Sequence, residues 1–184
     1  FDTKDVGTGK LVSISGISIS GGDAGNYTFN TTASSTASIT AKALTISATG
    51  FAKVYDGNAT ATISFSDNRV TGDVFTASYL SASFDDKNVG TGKTISVSGI
   101  NISGPDAGNY TINTTATTTA NITAQALHVT ATGSNKVYDG DATATVNLLD
   151  DRVSGDTVTL SYSASFNNRN VGTAKPVSVS GISI

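Results

Sequence analysis

Cysteine, methionine, tryptophan and glutamate are all absent from the 184 residues, and histidine occurs once. Without cysteine there is neither a disulfide framework nor a thiolate metal site. Without either sulfur residue the main targets of oxidation are also gone. Charged residues make up only 14%, against about a quarter in an average soluble protein, and all fourteen acids are aspartate. A net charge of −3 leaves no clustered Lys/Arg footprint for nucleic acid. No apolar run approaches the roughly 20 residues that a membrane-spanning helix needs, so no membrane insertion is expected. Thr, Ser, Gly, Asn and Ala fill the space instead. They are mostly poor helix formers that suit strand faces and the turns between them, so the composition implies an all-β chain.

The chain is internally repetitive. Lys53-Val54-Tyr55-Asp56-Gly57 returns 83 residues later as Lys136-Val137-Tyr138-Asp139-Gly140, and Gly25-Asn26-Tyr27 returns as Gly108-Asn109-Tyr110. Phe1 to Thr40 matches Phe84 to Thr123 at 29 of 40 positions. A fixed period of this size denotes an array, and it fits a small domain better than a solenoid turn. Residues 1–40 read as the C-terminal half of a repeat, 41–123 as one complete repeat, and 124–184 as the N-terminal three-quarters of a third.

In the complete repeat, apolar and small polar residues alternate through Leu44-Ile46-Ala48, Ala61-Ile63-Phe65, Phe75-Ala77-Tyr79, Ile95-Val97 and Tyr110-Ile112. That is the period-2 signature of half-buried strands. Seven or eight short strands with turns every 8–12 residues point to a sandwich or barrel. Asp56-Gly57 supplies the positive φ of a tight turn. Phe84 corresponds to Phe166 at an offset of 82, because Tyr79-Leu80-Ser81 shortens to Tyr162-Ser163, and a β-bulge or loop would absorb the difference. The chain starts and stops in mid-repeat. Either it is a window from a longer array, or one chain's end completes the next chain's beginning by strand addition.

Two resemblances follow. Asp106-Ala107-Gly108-Asn109-Tyr110-Thr111-Ile112 and its copy at Asp23 to Phe29 resemble the Asp-x-Gly-x-Tyr-x-Cys segment of immunoglobulin domains. This implies tandem Ig-like antiparallel β-sandwich repeats, with a β-grasp-like roll as the alternative. Over its whole length the chain is similar to the YDG repeat family of bacterial surface proteins. Lys53 to Thr60, Phe84 to Lys93 and Gly108-Asn109-Tyr110 carry that likeness. The resemblance implies export, surface display and the stalk of a large haemagglutinin-like adhesin. The expected signature residues are Tyr55, Asp56, Gly57, Tyr138, Asp139, Gly140, Tyr27, Tyr110, Phe84 and Phe166.

No residue set is expected to be catalytic, and the chain is not read as an enzyme. The one histidine, His128, stands where the matching repeat has Thr45. Asp85, Asp86 and Asp106 are the candidate Ca²⁺ ligands, since turn carboxylates could supply the oxygens that ion needs. Against them, Phe166 is followed by Asn167-Asn168, without carboxylates. Aspartate is in any case favoured in turns. No other cofactor is expected. Lys53, Lys87 and Lys93 could form isopeptide links, and seven Asn-x-Thr/Ser triplets could accept glycans, but turn lysines and a Thr-rich composition explain both. Together with the tandem repeat, the family resemblance implies a structural fibre shaft on the bacterial cell surface. Its partners would be neighbouring repeats and other copies of the chain, with host glycan or protein met only through other regions. The alternatives are a glycan- or protein-binding module and a self-assembling filament subunit.

Overall fold

The computed structural model describes residues 1–184 and is all-β; two three-residue 3₁₀ turns, Ala24–Asn26 and Ala107–Asn109, are its only helical segments. β1 (Gly7–Ser15) and β2 (Thr32–Ile39) pair antiparallel, with Leu11 opposite Thr36. The complete repeat contains ten short strands: β3 (Lys42–Leu44), β4 (Ile46–Gly50), β5 (Lys53–Val54), β6 (Ile63–Asp67), β7 (Thr76–Ser78), β8 (Ser81–Phe84), β9 (Gly90–Ser98), β10 (Asn101–Ser103), β11 (Tyr110–Ile112) and β12 (Thr115–Thr123). β13 (Val129–Gly133), β14 (Val146–Asp150), β15 (Ser161–Phe166) and β16 (Val177–Ser183) follow. The pairs β4–β6, β7–β10, β13–β14 and β15–β16 are antiparallel two-stranded sheets, and the one larger sheet runs β5-β12-β9-β8.

Two pairings correct the purely antiparallel expectation. β11 runs parallel to β3, with Thr111 opposite Ala43, and β12 runs parallel to β5, with Ile122 opposite Lys53. Parallel neighbours need a long crossover, and the intervening part of the repeat provides one. Alternation along a strand reports which face is buried but not which strand lies beside it, so this pairing leaves no local trace. The first expected strand is also split, because Leu44 and Ile46 both point into the core across a break at Thr45.

The one-residue offset has a structural counterpart. Ser81 pairs with Ser98 in the complete repeat, and the three residues from Ser78 to Ser81 match the three from Ser98 to Asn101. In the shortened copy only two residues, Ser161 to Ser163, span the three from Ser180 to Ser183. The surplus residue bulges on β16 beside Gly181, whose φ is +63°.

The chain forms two compact units. The first comprises Phe1–Ala52, Ala59–Asp86 and Gly92–Asn121; the second comprises Lys53–Asn58, Lys87–Thr91 and Ile122–Ile184. The core of the first is built from Leu44, Ile46, Phe75, Phe84, Ile95, Val97, Ile100 and Tyr110, with Ile95 wholly enclosed. Each such aliphatic or aromatic residue contributes about 1.5–3 kcal/mol by leaving water. No residue before Leu44 is buried, so the β1–β2 ribbon is open on both faces. In the second unit Ile122 and Val146 are buried.

A turn clasp that the alternation does not reveal shapes the segment after β6. Asp67 accepts two bonds from the Arg69 guanidinium, at 2.9 and 2.6 Å, and one from the Arg69 backbone N–H at 3.0 Å. The same guanidinium donates to the Phe75 carbonyl at 3.0 Å and lies 3.7 Å above the Phe75 ring. Asp150 and Arg152 repeat the clasp after β14, with Arg152 donating to the Val158 carbonyl at 2.6 Å. A bidentate fork fixed at both ends makes each turn a rigid ledge. The first ledge carries Asp73 and the second carries Asp156.

Candidate functional site

The Tyr-Asp-Gly turn is held by its own lysine. Lys53 pairs with Asp56 at 2.7 Å and donates to the Asn58 carbonyl at 3.0 Å, while Asp56 accepts the Asn58 N–H at 3.2 Å. The copy keeps the design, with Lys136 on Asp139 at 2.8 Å and on Asp141 at 2.7 Å. Lys136 and the Thr143 hydroxyl hold the Asp141 carboxyl down at about 2. Aspartate caps the N–H two residues on, as it commonly does in turns, and Gly57 and Gly140 take φ of +82° and +89°. That is the physical content of Asp56-Gly57 and Asp139-Gly140.

A second lysine closes the loop after Phe84. Lys93 meets Asp85 at 3.0 Å and Asp86 at 2.8 Å, and Asp86 foremost raises its pKa. In the other copies Lys10 pairs with Asp2 at 3.7 Å, and Lys175 donates to Asn168 at 2.7 Å. The ammonium therefore sits where a bound cation would lie. Asp106, the third Ca²⁺ candidate, is engaged by different partners, and the structure does not bring the three carboxylates together.

Those different partners form the most connected polar cluster in the first unit. Lys4 lies 2.7 Å from Asp106 and 2.8 Å from Asp73. Asp73 also accepts the Tyr110 hydroxyl at 2.6 Å, and that hydroxyl accepts the Val70 N–H at 2.9 Å. Asp106 accepts the Val74 N–H at 2.8 Å, Asn109 accepts the Val6 N–H at 2.9 Å, and the Asn109 amide reaches Asp5 at 3.3 Å. Asp106 and then Asp73 hold the Lys4 ammonium charged well above the usual lysine range. Lys4 in turn lowers both carboxyls. Burial, then Asp73, raises the Tyr110 phenol.

The second unit contains the same joint one period on. Lys87 lies 3.0 Å from Asp156, and Tyr55 donates its hydroxyl to Asp156 at 2.6 Å. The Lys87 ammonium stands 5.7 Å from the Tyr55 ring centroid. Tyr55 and then Lys87 keep the Asp156 carboxyl low. Gly57 meets Val153 so closely that an added Cβ would come within 2.6 Å of Val153 Cγ1. Both joints thus tie a cation in the loop after a Phe to an aspartate 69 residues later. The signal was present in the sequence: a cation recurs at Lys4, Lys87 and Arg169, and an acid recurs at Asp73 and Asp156.

The ten signature residues divide by surroundings. Phe84 is buried and Phe166 is half-buried. Tyr110 is 8% exposed, its hydroxyl bonded to residues about forty positions upstream rather than to nearby backbone as in a tyrosine corner, whereas its copy Tyr27 is 70% exposed; Tyr138 is 60% exposed, unlike Tyr55. His128 stands exposed just ahead of β13, its backbone N–H given to Asp151 at 2.7 Å. Several triplet asparagines use their amides structurally. Asn113 accepts the Ile46 N–H at 2.8 Å and donates to the Ile46 carbonyl at 3.0 Å, and Asn121 accepts the Gly92 N–H at 2.8 Å.

Fold and joints together define an all-β protein built from copies of one repeat. The family model described as YDG domain matches residues 1–36, 40–120 and 123–184. The chain belongs to the YDG domain family. No curated protein and no solved structure matches it significantly.

Proposed function

We propose that the chain is a structural spacer, a length of fibre shaft in an extracellular bacterial surface adhesin that holds a distal binding region away from the cell. The finer fold within this reading is a series of Ig-like sandwiches. The observation that carries the reading is the repeated joint. A loop cation of one repeat and an aspartate of the next are paired in two places at the same spacing, Lys4 with Asp73 and Lys87 with Asp156. Tyr55 and the Gly57–Val153 contact tighten the second joint. Between Ile122 and Leu127 the chain passes into the next repeat with no Gly/Pro-rich hinge, the composition that would make a linker flexible. Joints of this kind resist bending, and resisting bending is what a spacer requires.

Solution scattering tests it. A compact globule of 184 residues has a radius of gyration of about 16 Å. A spacer gives a clearly larger value with a rod-like profile, and the same chain captures nothing on glycan and host-matrix-protein arrays. A radius near 16 Å, or saturable capture of a glycan, overturns the reading.

A further inference from the structure

An asparagine accepts a glycan through its side-chain amide, which must be free and open to solvent, with a hydroxyl two residues further on. A Thr-rich composition explains why Asn-x-Thr/Ser triplets are many, and not which of them the fold leaves open. Asn113 commits its amide to both backbone groups of Ile46 and to the Thr115 carbonyl at 2.8 Å. Asn121 accepts the Gly92 N–H, Asn30 donates to the Thr32 carbonyl at 2.6 Å, and Asn58 accepts from Lys53 at 3.1 Å. Asn109 is bonded to Val6 and Asp5, and Asn26 holds the same place in the copied turn.

Asn101 differs from all of these. It is exposed, it opens β10 opposite Ser78 of β7, and its amide makes no hydrogen bond within the chain. Strand side chains alternate, so Asn101 and Ser103 share one face while Ile102 turns to the other. Asn101 and Ser103 are exposed and Ile102 is half-buried, so acceptor amide and hydroxyl stand on the same open face. β10 is three residues long and pairs with β7 alone, so an enzyme that lifts it disturbs little of the core.

The surroundings suit a sugar. No charged residue lies between Thr76 and Phe84 or between Thr94 and Gly104. At the turn between β7 and β8, Leu80 gives its N–H to the Ser98 carbonyl at 3.1 Å and leaves its side chain 89% exposed. The C–H face of a sugar ring packs on such a leucine and takes apolar area out of water. In the shortened copy Leu80 has no counterpart and Ser183 stands in place of Asn101, so leucine and acceptor are lost together.

We propose that Asn101 is an acceptor site for an N-linked hexose, the one triplet of the complete repeat whose amide the fold leaves open. In the transfer, Asn101 Nδ2 bonds to C1 of the hexose of a nucleoside diphosphate sugar. The C1–O bond to the diphosphate breaks, the nucleoside diphosphate departs with the electron pair, and the amide proton passes to a base of the transferase. β10 takes no part in either joint, so this proposal and the spacer reading fail separately.

The test gives the whole chain UDP-glucose and a soluble N-glycosyltransferase selected for transfer to peptides spanning each triplet, whose rates serve as reference. The folded chain gains one hexose, which peptide mapping by mass spectrometry places at Asn101. Transfer to Asn58, Asn113 and Asn121 runs at least tenfold below their peptides. Asn101→Gln and Ser103→Ala each abolish the gain, whereas Ser103→Thr keeps it; both positions are exposed, and an unchanged far-UV spectrum verifies that the variants fold. Chain isolated from the cells that make it carries hexose on the peptide containing Asn101. A folded chain that takes no hexose while the Asn101 peptide does, or an unmodified Asn101 in chain from those cells, overturns the site. Hexose on Asn113 or Asn121 at the peptide rate, or a gain that survives Asn101→Gln, overturns the sorting by free amide.

Discussion

Ala174 offers a quantitative test of the loop that carries the joint cation. Three copies of the loop place Gly9, Gly92 and Ala174 at one position, with φ of +61°, +60° and +52°. Ala174 is the only non-glycine residue in the chain with positive φ. A left-handed backbone costs an L-residue about 1–2 kcal/mol, because Cβ crowds the following carbonyl. Replacing it by glycine removes that strain but adds about 0.5–1 kcal/mol of unfolded-chain entropy. Ala174→Gly is therefore expected to stabilise the second unit by about 0.5–1 kcal/mol, or several degrees in melting temperature for a unit of this size. The reciprocal change is cleaner. An added Cβ at Gly92 meets nothing within 4 Å, so Gly92→Ala carries backbone strain and no clash. It should destabilise by about 1 kcal/mol. Urea unfolding followed by tyrosine fluorescence and circular dichroism reads both, the two units being fitted as separate transitions. If Ala174→Gly destabilises while Gly92→Ala is neutral, the assignment of strain to this position is wrong.

Three further outcomes follow from the geometry. Asn113→Ala removes the amide that bridges both backbone groups of Ile46, and should cost about 1–3 kcal/mol in urea unfolding of the first unit. Gly57→Ala combines positive φ with the Val153 contact; it should lower the melting temperature of the second unit, and Val153→Ala should restore part of the loss, a coupling that a double-mutant cycle reads. The carboxyls of Asp67, Asp73, Asp106, Asp141, Asp150 and Asp156 are all lowered by cations or hydrogen-bond donors in the folded chain. Their contribution is therefore complete above the ordinary value of 3.8 and is lost as pH falls through the folded values, toward about 2 for Asp141. Melting temperature should be flat from about pH 5.5 to 8 and fall steeply below pH 4, and Lys4→Met should reduce the slope of that fall.

The all-β fold and most of the core were legible from alternation. Ile95, Val97, Tyr110 and Ile122 fall on inward positions because strand side chains alternate and a buried face must be apolar. Partner choice was not legible. Nothing near Lys42 announces β11, and nothing near Lys53 announces β12, because ladder hydrogen bonds are made by backbone that every residue shares. The Arg69 clasp is illegible for another reason: Asp67-Asn68-Arg69 is ordinary turn composition, and only the fold stacks the guanidinium on Phe75. Asp85 and Asp86 stand in the sequence as neighbouring oxygen donors, and only the fold brings Lys93, eight and seven residues on, against both of them. Identical sequence also did not guarantee identical surroundings. Gly-Asn-Tyr gives a buried Tyr110, bonded to Val70 and Asp73, and a Tyr27 that is exposed.

Stretching single chains by their ends tests the central claim, that a repeat of about eighty residues is a mechanical brick. At about 3.4 Å per extended residue, the complete repeat releases roughly 28 nm of contour. The account predicts separate force peaks, one of them with that increment. It also predicts that Lys87→Met softens the extension before the first peak. A single cooperative event releasing the whole chain, roughly 62 nm at the same rise per residue, would contradict it.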